Sequence, residues 1–302
     1  MKSEERGAYI GLVLMTLIIG LSFIFVKIAL GYSNPYDLLA HRFSAAFIAI
    51  ATLNLLGVVK IPKIKKGDRL AVVGVALLYP VGCFGFQAVG MQFTTAAEAG
   101  IIFAFLPAIM LIIERFLFGE RSSSLQKLGI FLSIGGLLFI FLNRGVASSQ
   151  NIKGVVLLFL SVLSMAGYFI VGKGVIRSYR SAELTAIMIV VGFLFFNTIS
   201  LFRHIGGGTI TQFLLPLKSA PFLLSVLYLG ILSSVVTSFF SNYALNYIPA
   251  SKIAIFSNLN PIIAIAGAVL LLGEKLFWFE AVGAVTVVAG LILVILFKGN
   301  RE

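Results

Sequence analysis

The stretch from Ala96 to Gly145, AAEAGIIFAFLPAIMLIIERFLFGERSSSLQKLGIFLSIGGLLFIFLNRG, recurs as Ala250 to Gly299, ASKIAIFSNLNPIIAIAGAVLLLGEKLFWFEAVGAVTVVAGLILVILFKG. Pro107 falls on Pro261, Gly119-Glu120 on Gly273-Glu274, Gly129 on Gly283, Gly136 on Gly290 and Gly145 on Gly299. Twelve of the fifty positions are identical without a gap. Shared apolar composition alone would give roughly four or five, so the chain holds two copies of one unit. The upstream parts correspond as well. Gly20 to Lys27 (GLSFIFVK) resembles Ala166 to Lys173 (AGYFIVGK), and Leu70 to Gln92 resembles Leu224 to Asn246. The offset changes within HIGGGTITQFLLPLKSAP, whose Gly, Thr and Pro content reads as a surface connection. The units are 1–147 and 148–302.

Composition sets the class. Of 302 residues 60% are hydrophobic and 11% charged, where a soluble domain carries about 25% charged residues. Such a chain cannot cover its own surface with polar groups, so it is an integral membrane protein whose solvent is the lipid bilayer. The net charge of +12 sits in the connections between apolar runs, the pattern of contact with anionic headgroups rather than with nucleic acid. A lone cysteine, Cys83, excludes an intrachain disulfide, and two distant histidines without an HExxH motif give no metal site. No cofactor is expected. The first apolar run is too long for a signal-peptide core and lacks a small-x-small cleavage pattern, so it is expected to be retained as a helix.

The apolar runs predict ten transmembrane helices, at about 8–29, 35–57, 69–91, 95–117, 124–143, 152–173, 182–202, 220–243, 248–272 and 276–297, each long enough for a ~30 Å hydrocarbon core. The runs are continuous rather than alternating, which selects helices over a barrel. With the N-terminus inside, sixteen Lys and Arg fall in inner segments and six in outer ones, so both termini are expected in the cytoplasm. Five helices per unit is an odd number. The second unit therefore enters from the opposite face, giving an all-α membrane protein of two inverted five-helix repeats, the architecture of secondary transporters.

Two five-helix units, each with a Pro-containing fourth helix, a Gly-Glu turn and a Gly-rich last helix, resemble the EamA-type members of the drug/metabolite transporter superfamily. Pro107, Gly119-Glu120, Gly129 and Gly136 carry the resemblance with their counterparts. Pro35, Ala40 and Arg42 add to it, as does Asn242-Tyr243-Ala244-Leu245 before Pro249-Ala250. The resemblance covers nearly the whole chain. It implies an inner-membrane carrier that exports amino acids or other small metabolites. Members often have a Trp near Gly20-Leu21-Ser22, and this chain has none there.

Polar residues at helical spacing mark where such a carrier would hold its solute. Tyr79, Cys83 and Gln87 share a face of the third run, Ser161, Ser164 and Tyr168 of the sixth, and Ser234, Ser238 and Asn242 of the eighth; Asn258 precedes Pro261 in the ninth. Polar groups facing lipid are costly, so these face protein or a cavity. Tyr79, Gln87, Tyr168, Asn242 and Asn258 are the candidate cavity residues, in a site between the first, third, fourth, sixth, eighth and ninth helices. Lys27, Arg42 and Glu98 are the charges within the apolar runs, all placed in the outer half, with Asp37 and His41 nearby. They serve either a substrate's charged groups or structure, with Lys27 snorkelling and Arg42 pairing with Glu98 or Asp37. Pro107 and Pro261, read as mid-helix prolines, are either hinges or static kinks. Gly119-Glu120 and Gly273-Glu274 read as structural helix stops. The glycine-rich fifth and tenth helices make a packing seam or a homodimer contact. No carboxylate falls near mid-membrane, and too few deep cations exist for a phosphorylated substrate. The expected function is a secondary transporter of a small-molecule substrate by alternating access, with multidrug export as the alternative, and no enzymatic activity.

Overall fold

A computed structural model describes residues 3–118, 123–143 and 149–296. Among these the chain is helical throughout, with no strand. Ten helical units follow one another: α1 (Ser3–Leu30), α2 (Pro35–Leu55), α3 (69–90), α4 (96–118), α5 (Ser124–Asn143), α6 (Ser149–Val175), α7 (Ser181–Gly207), α8 (Ala220–Tyr247), α9 (250–272) and α10 (Trp278–Leu296). Six are long and apolar enough to cross a membrane: α1, α2, α3 with its leading turn Lys66–Asp68, α6, α7 and α8. The other four carry shorter apolar stretches.

Helix ends are written locally. Asn34 caps α2, its side-chain oxygen accepting the N–H groups of Tyr36 and Asp37 at 3.1 Å each, with Pro35 in the first helical turn. Thr95 and Glu98 form a capping box at the start of α4. Gly273 ends α9 with a left-handed φ of 64°, and the Glu274 N–H donates to the Ala268 carbonyl at 3.1 Å, which satisfies one of the last carbonyls of the helix. That is the stop expected from Gly273-Glu274; Gly119-Glu120, Gly145 and Gly299 lie outside the described residues.

Pro107 and Pro261 act differently from the mid-helix kinks expected of them. Each fourth helix is interrupted rather than bent. In α4, Ala96–Phe103 ends, a turn covers 104–105, and Leu106–Phe118 begins anew. In α9, Ala250–Ile255 passes through a 3-10 turn, Phe256–Leu259, into Asn260–Leu272. Each proline is the second residue of the new helix, where its missing N–H has no intrahelical partner to lose. Pro80 also has a structural counterpart. α3 is kinked within Leu77–Gly82, where Tyr79 leaves helical φ and ψ, and α8 contains a π stretch at Tyr228–Val236. The repeat offset carries 77–82 onto 231–236, inside that stretch, with Ser234 in the place of Pro80.

The helices of the two halves pair in a reciprocal set. α2 packs on α7, α4 on α9 and α5 on α10; α1 packs on α8 as α6 packs on α3, and α1 on α9 as α6 on α4. Exchanging the halves maps this set onto itself. The α5–α10 seam shows the register. A Cβ on Gly136 would meet the Gly283 carbonyl at 2.9 Å, and one on Gly290 would meet the Gly129 carbonyl at 2.5 Å. Gly129 and Gly136 are the repeat equivalents of Gly283 and Gly290, so the contact is isologous and the two helices run antiparallel. Small residues let the backbones approach, the usual means of helix association where lipid is the solvent. The glycine-rich faces thus meet each other within one chain.

Candidate functional site

The buried polar centre forms where α2, α3, α6, α7 and α8 meet. Gly230 allows it: a Cβ there would stand 2.6 Å from the Arg42 carbonyl and 2.8 Å from the Ala45 Cβ. With α2 this close to α8, Arg42 reaches the π stretch. Its Nε donates to Ser234 Oγ at 2.8 Å, and its Nη2 donates to the oxygens of Ser233, hydroxyl at 3.2 Å and carbonyl at 3.3 Å. The guanidinium carbon lies 3.7 Å from the centroid of the Phe84 ring, a cation–π contact. Arg42 is two turns into α2 yet meets the midpoint of α8. Pairing with an acid is corrected: no carboxylate lies against Arg42 among the described residues, and the titratable side chains facing it are Tyr79 and Cys83.

Tyr79 stands at the kink of α3 with non-helical φ and ψ of −144° and 112°. That departure turns its ring onto Tyr168 of α6, centroids 4.9 Å apart and nearly parallel, and against Phe84 at 4.8 Å. Its hydroxyl faces Thr237 and Ser238. The Tyr168 hydroxyl bridges Ser241 Oγ at 3.0 Å and Asn242 Oδ1 at 2.8 Å. Asn242 Nδ2 in turn donates to Thr185 Oγ1 of α7 at 2.9 Å and to Met188 Sδ at 3.6 Å. Three of the five candidate cavity residues, Tyr79, Tyr168 and Asn242, therefore join one network. Asn242 spends its amide on helix–helix contacts. The whole group is closed to solvent, with Arg42 1%, Tyr79 3% and Tyr168 and Asn242 0% exposed.

Gln87 is buried one turn beyond Cys83 and makes no side-chain hydrogen bond among the described residues. Asn258 lies in the turn Phe256–Leu259 at the interruption of α9; its side chain is outside the described residues. Lys27 does not snorkel: its ammonium donates to the carbonyls of Met91 and Thr94, at 2.9 and 2.6 Å, closing the end of α3. Glu98 serves the capping box, with Oε2 2.7 Å from the Thr95 N–H. Lys27 faces both Glu98 and Glu274, so these charges form a cluster at one end of the bundle, apart from Arg42.

A second cluster escaped the sequence. Asp37 of α2 holds His204 Nε2 at 2.9 Å and Ser200 Oγ at 2.6 Å, both from α7. The other histidine, His41, stacks on Phe213 and bonds its carbonyl at 2.8 Å. The connection after α7 thus folds back over both histidines, with Thr209 Oγ1 at 2.8 Å from His204 Nδ1. Thr185, Met188, Phe84 and Ser200 were also missed. Each has an apolar or weakly polar side chain of ordinary kind, and only the α7–α8, α2–α3 and α2–α7 contacts bring it to a site.

The EamA-like transporter family matches this chain twice, over residues 6–142 and 152–296. A Bacillus subtilis protein named "Uncharacterized transporter YcxC" is 40% identical over 292 residues, covering 96% of this chain and 93% of that protein. A Salmonella typhimurium protein named "Probable amino-acid metabolite efflux pump" is 26% identical, over 92% of this chain and 91% of its own. One crystal structure shares the fold at 17% identity with a TM-score of 0.66, across 97% of this chain and 99% of that one. Two matched units and a 40% identical transporter over nearly full length place the chain in the EamA-like transporter family.

Proposed function

We propose that this protein is a secondary transporter that exports small organic solutes, such as amino acids or related metabolites, across the cytoplasmic membrane by alternating access. The observation that carries the reading is the paired interruption of the bundle. Both third helices are interrupted, α3 by the kink at Tyr79 and α8 by a π stretch, and both fourth helices have a break, at equivalent places in the two halves. π segments and discontinuous membrane helices gather at functional sites, and here the kink of α3 and the π stretch of α8 meet the buried group of Arg42, Tyr79, Tyr168 and Asn242. Ten spans in two inverted repeats are supported by the reciprocal pairing and the antiparallel α5–α10 register. The excess of Lys and Arg in one set of connections supports cytoplasmic termini. The name of the Salmonella relative favours amino-acid metabolites as the solute class.

The aromatic wall of Tyr79, Phe84 and Tyr168 favours a second reading, export of hydrophobic or cationic compounds. Counterflow in proteoliposomes separates the two. A labelled amino acid should exchange, compete with unlabelled amino acids and resist hydrophobic cations. Gln87→Ala should lower that flux, and it is the cleaner probe, because Asn242→Ala also removes helix contacts. Counterflow that only hydrophobic cations compete would turn the assignment to the second reading. Labelling of single cysteines placed at either terminus, in a Cys83→Ser background, tests the orientation.

A further inference from the structure

We infer that Arg42 is the anchor for a single carboxylate group on the transported solute. The inference rests on the transport reading and deepens it. Arg42 is 1% exposed and among the largest fully buried side chains of the chain. A buried charge needs a counter-charge or a full set of hydrogen bonds. Two serines, one carbonyl and the face of Phe84 surround it on one side. These are neutral groups, and Nη1 has no hydrogen-bond partner among the described residues. The acids that the sequence offered are engaged elsewhere, Asp37 with His204 and Ser200, and Glu98 in its capping box.

The arrangement specifies the ligand's chemistry. A guanidinium held at Nε and Nη2 presents Nη1, so it takes one carboxylate oxygen end-on rather than a bidentate pair. A phosphate or a dicarboxylate would need further cations, and the nearest other in-span cation, Lys27, is bound to the Met91 and Thr94 carbonyls. Next to the guanidinium stand Phe84 and, tilted against it, Tyr79. They offer an apolar, aromatic wall to the rest of the solute. The ligand class is therefore a monocarboxylate, free or as the carboxylate of a zwitterion, with an uncharged, partly apolar substituent. Ser233 and Ser234 belong to the π stretch of α8. A rearrangement there changes the hold on Arg42, and so couples the anchor to the moving part of the bundle.

The test compares acids with their amides on the full chain. Purified protein in detergent is titrated with L-leucine, L-phenylalanine and L-threonine, with their carboxamides, and with tetraphenylphosphonium as the hydrophobic cation. The readout is the thermal shift, and the same solutes are followed by counterflow in proteoliposomes. At least one acid should bind about tenfold or more tightly than its amide, the scale of a charged hydrogen bond. Arg42→Gln should erase that preference, and Arg42→Lys should keep part of it. If Arg42→Gln fails to fold, the acid–amide ratio on the unaltered protein still decides. Amides that bind as well as acids, or cations that bind alone, overturn the inference while leaving transport intact. Vesicles that move none of the solutes defeat the inference and the transport reading together.

Discussion

Gly230→Ala is the sharpest single perturbation of the centre. The new methyl would stand 2.6 Å from the Arg42 carbonyl, 2.8 Å from the Ala45 Cβ and 3.1 Å from the Ala46 nitrogen. Two of these three atoms are backbone and cannot swing aside. To reach the 3.4 Å where ordinary contact begins, α8 must withdraw from α2 by about 0.8 Å. A withdrawal of that size stretches the Arg42–Ser234 bond from 2.8 Å to about 3.6 Å, beyond hydrogen-bond range. Overpacking costs about 1–3 kcal/mol and a membrane hydrogen bond about 0.6–1.7 kcal/mol, for an expected loss of about 2–5 kcal/mol. Unfolding of the full chain in mixed micelles measures it, with Gly74→Ala as the control. At Gly74 a Cβ meets nothing within 4 Å, so alanine should be neutral or gain up to about 1 kcal/mol of helix propensity. Counterflow by Gly230→Ala should fall about tenfold or more, since 1.4 kcal/mol is a factor of ten. A Gly230→Ala protein that unfolds and transports like its parent would show that the two backbones do not touch as described.

At the α5–α10 seam, Gly290→Ala should destabilise by about 1–3 kcal/mol, because its Cβ would lie 2.5 Å from both the Gly129 carbonyl and Ser133 Oγ. Gly135→Ala, facing open space, should not, and thermal midpoints of the two variants decide. A double-mutant cycle of Tyr168→Phe and Asn242→Ala should return a coupling of about 0.6–1.7 kcal/mol for their 2.8 Å bond; a coupling of zero would dissolve the network into packing. His204→Leu removes one partner of Asp37 and the anchor of Thr209. Limited proteolysis within 205–219 should then quicken at unchanged protease, while cleavage elsewhere stays level.

Much of the fold was legible because its signals are local or periodic. The Gly273 stop and the glycines of the last helices each act within a few residues, and the repeat places those last-helix glycines in both halves. The helix interruptions were half legible. Proline marks where a helix cannot simply continue, but a kink and a fresh start share that mark, and the break at 104–105 has no residue of its own to announce it. The π stretch of α8 left no sign, since Ser234 stands where its counterpart has Pro80. The site was legible only in its residue types. Tyr168 and Asn242 were singled out by helical spacing, and they meet. The partner of Arg42 was sought among acids, by charge, whereas a glycine on α8 decides what Arg42 can reach. Asp37 and His204, 167 positions apart, are joined by the α2–α7 contact, which no periodicity encodes.

The π stretch leaves α8 with slack. A π turn bonds i to i+5, so it stores one residue more than the α ladder needs. In α8 even a side chain follows this longer step, as Ser234 Oγ donates to the Leu229 carbonyl at 2.8 Å. A surplus residue can be handed along a helix one peptide at a time, each donor trading one carbonyl for the next without a bare intermediate. The segment beyond it then turns on its axis while both ends of the rod stay anchored. α8 is then a screw with a loose thread at its middle. The Arg42 side chain, clipped to two consecutive residues of that thread, would register the turn as a change in which serine it holds.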